Sequence, residues 1–258
     1  MTTARQAWVI LTGRYLRELY RQPAVIFITL TQPVIWLLLF GELFKNITQI
    51  PGFGAGNYAT YLTPGVVIMT AMFSSSWTGM AYIEDMQTGV MDRFLTAPVS
   101  RGALTAAMLA YQAVIVVVQS AIIIAMGWGI GAAFPGGPAG IAALIAVAVL
   151  IAVAMAGLSI GFALLIRQRE ALIGASTTLV MPLTFLSGAF LSLRLVPGWI
   201  AAIARFNPVN WAATAGRAAV GSHPAWGTVG SYAGYLAAAL AVTAVAATLT
   251  FRTYQRST

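Results

Sequence analysis

Cysteine is absent from this chain and histidine occurs once, at His223. A thiolate metal site, a structural disulfide and a cysteine nucleophile are therefore excluded. Charge is scarce too: Asp, Glu, Lys and Arg make up 8% of the residues, against about 25% in an ordinary soluble domain. Acids number six, and the single lysine, Lys45, follows Phe44 rather than the glycine-rich turn that a P-loop requires. The chain has no nucleotide site of its own and is read as a non-enzyme, with no cofactor and no metal. What it does have is 59% hydrophobic residues in a length of 258. A soluble fold of that size could not cover its surface with polar groups, whereas a lipid bilayer suits the composition.

The net charge of +8 does not point to nucleic acid, because no basic cluster is interleaved with aromatics. In a membrane chain, basic residues collect in cytoplasmic loops. Crossing the hydrocarbon core takes about 20 mostly apolar residues. Charge-free stretches of that kind lie near 24–41, 60–83, 103–130, 139–166, 171–193 and 228–251, giving an all-α polytopic membrane protein with six transmembrane helices in one domain over 1–258. The third stretch is long for one crossing. It either tilts or begins as an interfacial helix, before Pro135, Gly136, Gly137 and Pro138 break it.

Six crossings put both termini on one side. With that side cytoplasmic, Arg5, Arg14, Arg17, Arg21, Arg93, Arg101, Arg167, Arg169, Arg252 and Arg256 are inside, while Lys45, Arg194, Arg205 and Arg217 are outside. The bias favours N-in and C-in. Residues 5–22 form either an amphipathic interfacial helix, with Trp8, Leu11, Tyr15 and Leu19 on one stripe, or a plain basic anchor for the first span. The spread of arginines through this stretch does not fit a cleavable signal peptide.

All the acids lie outside the spans or at their edges, so a proton relay through the bilayer has no obvious members. Gly157, Ser159 and Gly161 match the G-x-S-x-G pattern of serine hydrolases. No carboxylate shares their depth, however, and the bland reading is a pair of small residues, four apart, that lets two helices approach closely. Gly127 and Gly131 invite the same reading. The polar residues at depth, among them Gln32, Gln112, Gln119, Ser74, Ser75, Ser76, Thr177 and Thr178, are expected to bond to backbone and neighbouring helices more than to a substrate.

The loop after the second span is the most informative segment. Glu84 and Asp85 end the span, Gly89 permits a turn, and Val90, Met91, Phe94 and Leu95 give a short helix an apolar face before Pro98 stops it and Arg101 opens the next span. An acidic pair, a glycine, the Asp92–Arg93 step, an apolar pair, a proline and a Ser-Arg end closely resemble the corresponding loop of the type-2 ABC exporter permeases. Two more segments are similar to that family: Tyr20–Pro23 with Gln32 and Pro33, and the tail from Phe185 to Phe190 through Pro197, Gly198, Trp199, Phe206–Asn210 and Arg217.

The resemblance implies that Glu84, Asp85, Gly89, Asp92, Arg93, Phe94, Pro98 and Arg101 belong to a cytoplasmic coupling helix that docks on an ABC ATPase. It implies two ATPase copies carrying ATP and Mg, and a second permease copy or a sibling. Pro197, Trp199, Asn207, Pro208 and Arg217 would belong to an extracellular re-entrant gate after the fifth span. The setting would be a bacterial or archaeal cell membrane. Within the family, the sequence looks most like permeases of daunorubicin-type drug and antibiotic exporters, with relatives that move lipids or polyketides. The residues themselves say something compatible. About 35 residues rich in Pro and Trp between the last two spans favour broken helices over a loop in water, and backbone of that kind at membrane depth must be covered by protein or line a cavity. Arg194, Arg205 and Arg217 either receive an anionic headgroup or snorkel to lipid phosphates. The competing classes are an ion-gradient-driven secondary transporter or channel and an intramembrane enzyme.

Overall fold

The structure, a computed structural model, describes residues 23–49, 57–88 and 101–255. These residues are helical, with no strand among them: α1 (Pro23–Leu43), a 3-10 turn (Lys45–Gln49), α2 (Tyr58–Ser76), α3 (Gly79–Gln87), α4 (Arg101–Gly129), α5 (Gly137–Ile166), α6 (Arg169–Phe185), α7 (Gly198–Ala204), α8 (Pro208–Val220) and α9 (Trp226–Gln255). The segment 5–22 and the loop residues Gly89 to Ser100 lie outside the described residues.

Among the described residues, four helical stretches are long and apolar enough to cross a membrane: Tyr58–Gln87, Thr105–Gly129, Gly137–Ile166 and Trp226–Ala247, with Thr29–Leu43 a shorter apolar helix. The first of these is α2 and α3 in line, interrupted by a turn at Trp77 and Thr78. The predicted fifth span, 171–193, needs correction: α6 stops at Phe185 after 17 residues. At 1.5 Å per residue it is about 26 Å long, short of the roughly 30 Å hydrocarbon core. The apolar run continues beyond it, but as irregular chain.

Helix α5 is the central element, touching α2, α3, α4, α6, α8 and α9. It follows the Pro135–Pro138 break, where Gly137 takes φ +64°, and it ends at Arg167 in the left-handed region, φ 56°. Its N-terminal end lies hard against α8. A Cβ on Gly136 or Gly140 would collide with the Ala219 carbonyl, and the Gly136 N–H donates to the Val220 carbonyl at 3.0 Å. Lipid tails give helices no hydrophobic reason to associate, so close backbone approach and buried hydrogen bonds have to hold them together. The alanine-rich face of α8, with Ala212, Ala213, Ala215 and Ala219 buried, fits that requirement.

The small-residue expectations divide. Gly127 lies directly on Thr63 of α2, as a helix-approach residue should. Gly131 does something else: with φ +94° it turns the chain after α4, and its carbonyl accepts the Asn57 side-chain N–H at 3.0 Å. Gly157 and Gly161 face α9, but a Cβ on Gly157 would meet Thr243 at 3.5 Å, an ordinary contact. Gly157→Ala is therefore expected to fold normally, with thermal stability in detergent within about 0.5 kcal/mol of wild type. A large loss would mean that α5 and α9 sit closer than described.

Candidate functional site

The interruption between α2 and α3 begins with three consecutive serines. Ser75 and Ser76 donate their hydroxyls back to Ala71 at 2.6 Å and Phe73 at 2.7 Å, a pattern that bends helices. Beyond Ser76 the regular ladder fails: Met80 N–H bonds to the Trp77 carbonyl, and Gly79 N–H has no helical acceptor. Freed backbone groups at membrane depth need partners, and two other helices supply them. Ser159 of α5 accepts from Gly79 N–H at 3.0 Å and donates to the Ser76 carbonyl at 2.6 Å. Ser176 of α6 donates to the same carbonyl at 3.1 Å. On α4, Gln112 donates to Ser75 at 2.9 Å and accepts from Thr78 at 3.3 Å. Ser159, the central residue of the hydrolase-like pattern, thus repairs a helix break.

Short helix α3 then runs to Glu84 and Asp85, leading into the loop expected to couple. Tyr82 and Ile83 are buried against Ile160, Ala163 and Leu164 of α5 and Leu172 of α6. Gly79 lets α3 lie so close to α5 that a Cβ would overlap the Ser159 carbonyl. Glu84 pairs with Arg169 at the start of α6 at 3.2 Å; the Glu84 side chain is exposed and that of Arg169 is half-buried. Of the other expected coupling residues, Arg101 begins α4, while Gly89, Asp92, Arg93, Phe94 and Pro98 lie outside the described residues.

At the opposite end, the irregular chain after α6 is held by side chains from three directions. Asn207 caps α8 by accepting from Val209 N–H at 2.9 Å, and its amide donates to the carbonyls of Leu183 at 2.6 Å and Leu186 at 2.9 Å. Asn210 accepts from Gly188 N–H, and the hydroxyls of Tyr58 and Tyr61 donate to the carbonyls of Phe190 and Gly188. Arg217 joins α8 to both: Nε donates to the Tyr61 carbonyl at 3.0 Å, Nη2 to the Ala189 carbonyl at 2.6 Å, and the guanidinium sits 3.6 Å from the Tyr61 ring centroid. A Cβ on Gly65 would overlap that same Ala189 carbonyl. Arg217 is thereby committed to protein carbonyls, which corrects the expectation that it receives a headgroup or snorkels.

The other residues expected there are arranged as follows. Pro208 opens α8, Pro197 precedes α7, and Trp199 stands on α7 with 61% of its surface exposed. Arg194 and Arg205 are exposed, and the Arg205 carbonyl accepts the Trp211 indole N–H. Aromatic rings link this end to α1: Phe190 packs on Trp36 and Phe40 at 5.3 and 5.4 Å between centroids. Sequence reasoning missed Tyr58, Tyr61, Ser176 and the Glu84–Arg169 pair, and named Asn210 in the tail segment without giving it a role. The run of three serines before Gly79 was the one local signal that a helix breaks there.

The described residues bring no nucleophile, base and carboxylate together at one depth; their polar groups are spent on irregular backbone inside a helical bundle. Comparison with known proteins agrees with that picture. The family model described as ABC-2 type transporter matches residues 6–220. The daunorubicin resistance ABC transporter permease protein DrrB1 of Streptomyces coeruleorubidus is 29% identical over 227 residues, 86% of this chain and 77% of that protein. Putative transport permeases ycf38 of Cyanophora paradoxa and Porphyra purpurea are 28% and 27% identical, over 80% and 78% of this chain and 71% and 69% of theirs. With the match spanning most of a chain built from apolar helices, this multi-pass membrane protein belongs to the ABC-2 type transporter family, as a permease.

Proposed function

We propose that this chain is the membrane half of an ATP-driven exporter, moving a hydrophobic or amphipathic molecule such as a drug, antibiotic, lipid or polyketide out of the cytoplasm or inner leaflet. Two ATPase subunits would carry the ATP and Mg, and a second permease copy or a sibling would complete the membrane part. In this reading α1 and α6 complete six crossings, the termini are cytoplasmic, and the host membrane is that of a bacterium or archaeon. Similarity to a permease named for daunorubicin resistance supports the cargo class.

The observation that carries the reading is the attachment of α3. Residues 89–100 follow α3 in sequence and precede α4, and α3 is separated from α2 by the turn at Trp77 and Thr78 while fixed to α5 through Ser159 and to α6 through Leu172 and the Glu84–Arg169 pair. A push on the loop would therefore move α3 with α5 and α6, and the Ser76–Gly79 turn is where that motion can be taken up. Between the outer ends, the clamp around Arg217 would determine when the pathway opens outward.

The test is co-purification in lipid with an ATPase encoded beside this permease, comparing wild type with a Glu84→Ala, Gly89→Pro, Arg93→Ala variant. Wild type is expected to hold the ATPase and change its turnover, and the variant to lose both while eluting as a folded protein. The Glu84–Arg169 pair is partly exposed and worth about 0.2–1 kcal/mol, so its loss should not unfold the chain. If no ATPase associates, and vesicles show flux driven by an ion gradient alone, the chain is a secondary transporter or channel instead.

A further inference from the structure

A cavity of about 320 Å³ lies beside the helix break, walled by α4 on one side and by Ser74, Trp77, Thr78 and Ala81 on the other. That volume is at the small end of the range of about 300–1,000 Å³ for sites that hold small organic ligands. Gln112 and Gln119 both line it; seven residues apart on α4, they share a helix face. Gln112 is fully engaged with Ser75 and Thr78. Gln119 is different: 3% of its surface is exposed, and its Oε1 is buried with no hydrogen-bond partner. A buried acceptor left unpaired costs about 1–3 kcal/mol, so such a group is a reason to look for a ligand.

The lining defines what would fit. Among the described residues no acid or base borders the cavity, so they would compensate neither a cation nor an anion. The wall is mostly apolar, with two aromatic rings, Trp77 and Tyr111. The rim residues Thr29, Trp77 and Val118 are exposed. Val118 belongs to the apolar stretch Thr105–Gly129, Trp77 to Tyr58–Gln87 and Thr29 to the apolar helix Thr29–Leu43, a setting that suits entry from the hydrocarbon layer.

We propose that this cavity is a binding site, entered from the bilayer, for an uncharged ring compound bearing a hydroxyl or amide N–H that donates to Gln119 Oε1. A lipid acyl chain could fill the same space but would leave Gln119 unpaired. The inference concerns binding alone and does not depend on coupling to an ATPase.

The test uses purified permease in nanodiscs without ATPase. Saturable uptake of 2-naphthol and of naphthalene is measured by equilibrium dialysis against empty nanodiscs. The hydroxyl compound is expected to bind one per permease and about tenfold more tightly than naphthalene, the size of effect that one hydrogen bond to an otherwise unpaired acceptor gives. Gln119→Leu should bring the two probes to equal affinity, and Val118→Trp, on the exposed rim, should weaken both. Equal affinity for the two probes in wild type overturns the proposal, as does a hydroxyl preference that survives in Gln119→Leu. Uptake no greater than in empty nanodiscs, which would leave the cavity to water or acyl chains, overturns it as well. Should Gln119→Leu not fold, unchanged binding in Val118→Trp is still sufficient to reject the site.

Discussion

Arg217→Leu is expected to lower the thermal midpoint of the purified permease by an amount on the order of 10 °C. Two hydrogen bonds from a charged donor are removed, each worth at least about 1.5 kcal/mol, for a total of about 3 kcal/mol. Each kcal/mol moves the midpoint by roughly 2–4 °C in a chain of this size. The Ala189 carbonyl sits in irregular chain and depends on Nη2, while Nε reaches the Tyr61 carbonyl and the guanidinium face lies on the Tyr61 ring. Leucine supplies volume and nothing else. Arg217→Lys keeps the charge but cannot fork to both carbonyls, and should recover less than half of the loss. Fluorescence-detected size exclusion after heating measures all three proteins. If Arg217→Lys matches wild type, charge rather than the bidentate geometry holds α8 to the irregular chain.

Gly79→Ala is the second large effect, and here the added group rather than a lost one does the damage. The new Cβ would lie on the backbone carbonyl of Ser159, with the Ala163 side chain also in contact, and helix backbone cannot move aside as a flexible side chain can. Overpacking of this kind costs about 1–3 kcal/mol. Pushing α3 away also stretches the Gly79–Ser159 and Ser159–Ser76 hydrogen bonds, which keep the break satisfied. Ser159→Ala separates the two contributions: it removes the hydroxyl without adding bulk, and buried hydrogen bonds in membrane proteins average about 0.6 kcal/mol with a maximum near 1.7. The expected order of thermal stability is wild type, then Ser159→Ala, then Gly79→Ala. Gly79→Ala at or above Ser159→Ala would show that α3 is not in backbone contact with α5.

How much could be read from the sequence depended on whether the deciding interactions were local. The third, fourth and last helices follow directly from hydropathy: the stretches 103–130, 139–166 and 228–251 correspond to Arg101–Gly129, Gly137–Ile166 and Trp226–Gln255. Length and apolarity are properties of the segment itself. The end of α6 at Phe185 is not legible, because Leu186 to Leu193 stays free of charge and mostly apolar while its backbone leaves the helix, and hydropathy registers side chains rather than main-chain hydrogen bonds. The groups that allow that departure, Asn207, Asn210, Tyr58, Tyr61 and Arg217, come from distant parts of the chain. Proline marks the break at Pro135–Pro138, but Pro33, Pro64 and Pro182 lie inside helices that continue past them, and the break between α2 and α3 falls at serine and glycine. Ser159 lies at the centre of a hydrolase-like pattern whose glycines read as packing residues. Its hydroxyl proved to matter, through a backbone 80 residues away.

That separation along the chain sets a schedule for synthesis. The Ser76 carbonyl obtains its hydroxyl partners from residues 83 and 100 positions later, and Tyr61 meets Arg217 only after 156 more residues have been made. At about 5–20 residues per second, the broken second helix waits on the order of 5–20 s for Ser159 and Ser176, and the clamp around Arg217 waits longer still. During that interval the nascent chain holds unsatisfied backbone at membrane depth, within reach of insertion and quality-control machinery. A chain terminated before codon 217 would lack the arginine that ties Tyr61 to Ala189, and membrane proteases would encounter it in that state.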